Sequence, residues 1–184
     1  MADQTKVITV EMMERLEAES GRFYELIDGE LRVKEMASPK HANIASKLNM
    51  FVGSFIFQNQ LGESYDSSAS YLLKGTPEKP ELVYLPDFSF VAADRVQQIY
   101  RGFYQLAPDL AVEIISPSER QGEIEKKTQD YLQCGVKQVW RIYPEQKQIT
   151  VHFPDSTPTT YHEGDTLSSG DLLPGFTLAV SSLF

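Results

Sequence analysis

The sequence predicts one domain of mixed α/β type, in the α+β sense of a mixed β-sheet with helices packed against it. Three observations predict it: a hairpin signal between two helical stretches, several β-prone runs in the middle of the chain, and a third helix directly after a buried strand. A length of 184 residues fits a single domain over 1–184 and leaves little room for a second.

Residues 1–8 are expected to be a loose N-terminal segment. Thr9 is placed to cap a first helix to about Glu19, with Met12, Met13 and Leu16 toward the core and Gly21 as its stop. Asp28-Gly29 between two β-prone runs, Phe23–Ile27 and Glu30–Val33, is the strongest short-range hairpin signal. Ser38-Pro39 starts a second helix, serine as N-cap and proline in the first turn. Ile44, Leu48, Phe51 and Phe55 form its apolar stripe, and it is expected to end near Gly62.

Residues 64–75 and 82–93 read as two strands separated by a loop at 75–80, and 96–106 gives no assignable signal. Leu110–Ile115 is nearly continuously apolar, as a strand buried on both faces would be. Ser116-Pro117-Ser118 breaks it and leads into a helix over about 119–134, closed by Gly135. Val136–Tyr143 and Gln148–Phe153 are two further strands, and the tail alternates turn residues with short apolar pieces.

With 41% hydrophobic and 23% charged residues, the composition excludes a disordered chain. The lone cysteine, Cys134, rules out an intramolecular disulfide and fits a reducing compartment. Met1–Lys6 lacks the basic and apolar parts of a signal peptide. No apolar stretch approaches the roughly 20 residues of a membrane span, so a soluble cytoplasmic protein is expected. A net charge of −9 argues against a protein that coats nucleic acid. It does not exclude a nuclease, which can gather cations locally and use metal ions against phosphate charge.

Glu113 is the residue that demands an explanation, because a buried strand normally carries valine or isoleucine there. An isolated buried carboxylate costs several kcal/mol, so it must be protonated, paired or bound to metal. An edge-strand glutamate reaching solvent, or a salt bridge to arginine, is the plainer alternative. Asp87 follows Pro86 at the start of a second apolar strand. It is either a turn aspartate or a second carboxylate sharing a divalent cation with Glu113, for which Mg²⁺ or Mn²⁺ suits the oxygen ligands.

Taking Ile124 as the origin, about 100° per helical residue brings Lys127 to about −60° and Tyr131 to about −20°, inside the apolar stripe, while Lys126 falls near 200° on the opposite face. Lys126 is then a solvated lysine, and Lys127 needs an anionic partner or snorkels at the margin. His41 and Glu25 are second-rank candidates: His41 precedes Ile44 by one turn, and Glu25 alternates with Tyr24 and Leu26 in the hairpin. One cysteine and three scattered histidines offer no zinc-ligand cluster.

Tyr24–Leu31, Ser38-Pro39-Lys40-His41, Pro86-Asp87, Pro108–Ser118, Lys127 four before Tyr131, Gly135-Val136 ahead of Trp140, and Leu173-Pro174-Gly175-Phe176 together resemble the Uma-type family of restriction-endonuclease-like proteins, in the PD-(D/E)XK nuclease superfamily. The resemblance runs from about residue 9 to the C-terminus. It implies a restriction-endonuclease-like core and metal-dependent hydrolysis of DNA phosphodiester bonds. Asp87 matches the motif's aspartate, Glu113 its second acidic residue, and the backbone carbonyl of Ile114 a further Mg²⁺ or Mn²⁺ ligand. The motif's lysine is expected two residues after Glu113, where Ile115 stands; Lys127 matches the helix lysine that takes this role in the family. It would orient or help deprotonate the attacking water and stabilise charge on the phosphorus centre. Glu25 and His41 match recurrent positions, as outer-shell ligands or substrate contacts. By analogy with related nucleases, a homodimer is expected.

Two other readings compete: a nuclease fold kept as a binding or regulatory module without turnover, and a structural protein in which Glu113 and Lys127 are an ordinary buried pair. If the three residues form one catalytic site, neutralising substitutions such as Asp87→Asn should raise stability in metal-free buffer by relieving carboxylate repulsion.

Overall fold

The structure is a computed structural model and describes residues 8–96 and 102–184. The expected loose segment at 1–8 therefore lies outside the described residues except for Ile8, as do positions 97–101 of the unassigned stretch.

Helix α1 (Val10–Ser20) starts where Thr9 Oγ1 accepts the Met12 N–H at 3.2 Å and stops at Gly21 in the left-handed region. Strands β1 (Tyr24–Ile27) and β2 (Glu30–Val33) form the hairpin. Asp28 and Gly29 both take positive φ, 53° and 79°, as a two-residue turn of this hand requires. Helix α2 (Pro39–Leu48) is capped by Ser38 Oγ and continues through a π-turn at Asn49–Gly53 into α3 (Ser54–Gln58). The wider π-turn shifts the helical phase, so Val52 and Ile56 join Ile44 and Leu48 in full burial, while the expected Phe51 and Phe55 pack half-buried against the same core. The helix also ends before Gly62, which opens the next strand. A Cβ there would lie 2.1 Å from the Val91 carbonyl, so only glycine permits this approach.

The two strands read at 64–75 and 82–93 are each two strands in different sheets. Strands β3 (Gly62–Asp66) and β4 (Tyr71–Thr76) part at a turn; β5 (Lys79–Tyr84) and β6 (Phe88–Ala92) part at Leu85-Pro86-Asp87. Strand propensity does not say which sheet a run joins, so only turn chemistry marks each break. The expected loop at 75–80 shrinks to Pro77-Glu78, because Gly75 pairs with Pro80 and Thr76 with Lys79.

Strand β7 (Leu110–Ile114) leads through α4 (Gln121–Gln133) to β8 (Gln138–Tyr143), then β9 (Gln148–His152) and β10 (Thr159–His162). The larger sheet has the order β10-β9-β8-β7-β6-β3, parallel only between β7 and β8 and antiparallel elsewhere, hence mixed as expected. A second sheet has the order β2-β1-β5-β4, and β11 (Thr166–Ser168) pairs with β12 (Thr177–Ala179).

Alternation along β7 explains the layering. Leu110, Val112 and Ile114 face the α2–α3 helix and join the main core around Trp140. Ala111 faces the other side, toward Tyr131 of α4 and Val139. Glu113 shares that second face, which aims its carboxylate at α4.

Candidate active site

The segment Leu85–Asp87, where the chain crosses between sheets, is the hub of a cleft of about 480 Å³ lined by all five candidate side chains. Three of its backbone groups have defined partners. The Leu85 N–H donates to Glu25 Oε1 at 3.1 Å, the Leu85 carbonyl accepts from Lys34 Nζ, and the Asp87 N–H donates to Val112 O at 2.9 Å. Pro86 has no N–H to satisfy, which suits a crossing where no ladder continues.

Asp87 is buried, with Lys34 Nζ 3.0 Å from Oδ1, His41 Nε2 3.2 Å from Oδ2, and the Ile114 N–H donating to Oδ2 at 2.8 Å. Burial works to raise its pKa, but the His41 hydrogen bond, the Lys34 ammonium and the Ile114 N–H hold it well below the usual carboxylate range. The expectation that Asp87→Asn stabilises the metal-free protein is thereby reversed, since the charge is favourably held rather than repelled.

Lys127 reaches the carboxylates. Its Nζ lies 2.9 Å from Glu113 Oε1 and 2.9 Å from Glu25 Oε1, and 5.1 Å from the centre of the Tyr84 ring. Burial alone would lower the pKa of this ammonium; Glu113 and Glu25 hold it well above the usual lysine value. Glu113, 12% exposed, also accepts the Tyr131 hydroxyl on Oε1 at 2.7 Å. Burial, with the Asp87 charge adding to it, pushes its carboxyl up to about 7 against the pull of Lys127. Lys126 takes the outer face as expected, paired with Asp28 at 3.3 Å and Asp130 at 2.8 Å.

The structure thus brings Asp87, Glu113, Lys127, Glu25 and His41 into one place. Two participants were not singled out from the sequence. Lys34 carried a usable signal: the Asp28-Gly29 turn pairs Glu25 with Arg32, so Glu25, Arg32 and Lys34 share one face of the hairpin. Tyr131 lies four residues after Lys127 on the same helical face, which is the spacing for two side chains to meet one partner.

Among the described residues, no three acidic, histidine or cysteine side chains form a metal cage. What the cleft offers is two carboxylates and a carbonyl. Val112 O and Ile114 N–H both turn toward Asp87, so backbone alternation directs the Ile114 carbonyl to that side too. Three hard oxygen donors with the remaining positions left to water fit Mg²⁺ or Mn²⁺. A larger hollow of about 740 Å³, lined by Leu61, Phe90, Phe153, Leu172 and Lys137 among others, contains none of the candidate residues.

A mixed sheet flanked by helices, with an acidic cleft and an inward lysine, defines the restriction-endonuclease-like class. The chain belongs to the family described as "Uma2: Putative restriction endonuclease", whose model matches residues 10–181. A crystal structure from Anabaena variabilis, described as "a putative nuclease belonging to DUF820", is similar, with 21% identity over 96% of this chain and 97% of its own and a TM-score of 0.81. At that identity the likeness establishes the fold. No curated protein matches the chain.

Proposed function

We propose that this protein is a divalent-metal-dependent endonuclease that hydrolyses DNA phosphodiester bonds in the Asp87–Glu113–Lys127 cleft. The observation that carries the proposal is the meeting of Lys127, from α4, with Glu113, from β7, beside a buried and ionised Asp87. Asp87, Glu113 and the Ile114 carbonyl would hold Mg²⁺ or Mn²⁺. When bound, such an ion neutralises phosphate charge and makes water more acidic.

The chain's own residues supply the rest. Lys127 stays protonated between two carboxylates, which assigns it charge stabilisation and water orientation rather than proton removal. The Tyr131 hydroxyl and the Leu85 N–H hold the two oxygens that Lys127 contacts, Glu113 Oε1 and Glu25 Oε1. His41 and Lys34 steady Asp87 from the opposite side. A cytoplasmic location and a homodimer, in which each copy cuts one strand, accompany this reading. Among the described residues no helix is long and apolar enough to cross a membrane.

The cleft's charge favours a second reading, a nuclease fold that binds without turnover. Eight carboxylates line it against five lysine or arginine side chains. Cleavage lost in each of Asp87→Ala, Glu113→Ala and Lys127→Ala, with the fold retained by circular dichroism, supports the enzyme. Absence of cleavage by the wild type across metals and DNA forms favours the binding module.

A further inference from the structure

We propose that Lys34 is a phosphate-binding residue held in reserve, neutralising Asp87 until a divalent ion takes its place and then contacting the substrate phosphate. The inference rests on the metal-dependent reading above. It starts from a property of the whole cleft: every lysine and arginine lining it already has an acidic partner. Arg32 pairs with Glu123, Lys40 with Glu145, Lys126 with Asp28 and Asp130, Lys127 with Glu25 and Glu113, and Lys34 with Asp87. An incoming phosphate therefore meets no uncommitted cation among the described cleft residues.

A divalent ion changes this at one place. It needs lone pairs on Asp87, and Lys34 occupies Oδ1 while His41 and the Ile114 N–H occupy Oδ2. Ion and ammonium compete for the same oxygen. Once displaced, Lys34 keeps only the Leu85 carbonyl, on a flexible four-carbon stem that is 18% exposed and opens on the cleft. Lys127 cannot make the same move, because it is shared between two carboxylates. The charge arithmetic agrees. Three carboxylates, Glu25, Asp87 and Glu113, face the two ammonium groups of Lys34 and Lys127, so two added positive charges leave an excess that a phosphodiester matches. Affinity for DNA then depends on the metal, and Lys34 supplies one of the contacts.

The test compares wild type, Lys34→Gln, Lys34→Arg and Asp87→Asn in two measurements. Isothermal titration with Mn²⁺, without DNA, should give roughly tenfold tighter binding for Lys34→Gln, since a charge-assisted competitor is gone. Anisotropy of a fluorescent DNA duplex in Ca²⁺, across a salt series, should give a slope of log K against log salt shallower by about 0.9, the release expected for one phosphate contact. Lys34→Arg keeps the charge and should keep the wild-type slope; if it loses the same amount, the assignment is overturned, even where Lys34→Gln does not fold. Unchanged or weaker Mn²⁺ binding by Lys34→Gln, with wild-type binding abolished by Asp87→Asn, overturns the role of Lys34 and leaves the metal site standing. Failure of the wild type to bind Mn²⁺ overturns both.

Discussion

Lys127 Nζ and Glu113 Oε1 lie 2.9 Å apart although one residue comes from a helix and the other from one of the two central strands of the mixed sheet. The pair joins β7 to the helix that follows it. Glu25 extends it to the hairpin, through the same ammonium. One mostly buried cation therefore holds together three elements and both carboxylates nearest it.

Removing that cation should cost stability as well as activity. In Lys127→Met two mostly buried carboxylates lose their counter-charge, a change that costs about 3–5 kcal/mol where one partner of a buried pair is deleted. For a chain of this size each kcal/mol is worth roughly 2–4 °C. Differential scanning calorimetry in metal-free buffer should show the Tm falling by about 6–20 °C.

Asp87→Asn should destabilise at neutral pH. The folded carboxyl has a pKa below its unfolded value, so its ionised form adds stability above the unfolded value and loses it as pH falls through the folded one. A loss of about 1.5–3 kcal/mol is expected at pH 7, the scale of hydrogen bonds to a charged group. Denaturant melts of the two proteins should converge as the pH drops below about 4, the range where a free aspartate takes up its proton.

Glu113 carries the opposite sign. Its folded pKa, pushed up to about 7 from 4.5, means that the folded state binds more protons between those values. The group's contribution is therefore fully present below about 4.5 and is lost as pH rises to about 7. Glu113→Gln should remove this slope from the metal-free stability profile. Adding Mg²⁺ to the wild type should restore stability at pH 7 and above, by adding positive charge beside the ionised Glu113.

Asp109 gives a control outside the cleft. It is fully buried, with Arg95 and Lys137 at 2.7 and 2.8 Å from Oδ1 and the Ala92 N–H donating to Oδ2 at 2.8 Å. Both cations meet Oδ1 outside hydrogen-bond alignment, so the attraction there is ionic. Asp109→Ala leaves the Ala92 N–H without its acceptor and takes the counter-charge from two partly exposed cations, and should destabilise by about 1–3 kcal/mol. Its cleavage rate per folded molecule, measured well below the lowered Tm, should match the wild type.

Much of this architecture was legible in local chemistry. Thr9, Ser38 and Gly21 marked helix ends because capping is decided within one turn, and Asp28-Gly29 marked the hairpin because few residue pairs accept its backbone. Glu113 stood out because a carboxylate in an apolar strand needs a partner. Lys127 was separated from Lys126 by helical phase alone. The sheet changes at Ser67–Ser70 and Leu85–Asp87 were not legible, because strand propensity does not say which sheet a strand joins. Lys34 was missed for a related reason: its role follows from the hairpin's register and from where β5 passes, a contact 51 residues away. The full burial of Val52 and Ile56, ahead of the half-buried Phe51 and Phe55, was not legible, because nothing local announces a π-turn.

The most direct test of the account is cleavage of supercoiled plasmid in Mg²⁺ or Mn²⁺ by purified wild type and Glu113→Ala, each with a chelator control. The account predicts nicked and linear product from the wild type with metal, and none from Glu113→Ala or with chelator. Equal cleavage by the two proteins, or cleavage by the wild type in chelator, would contradict it.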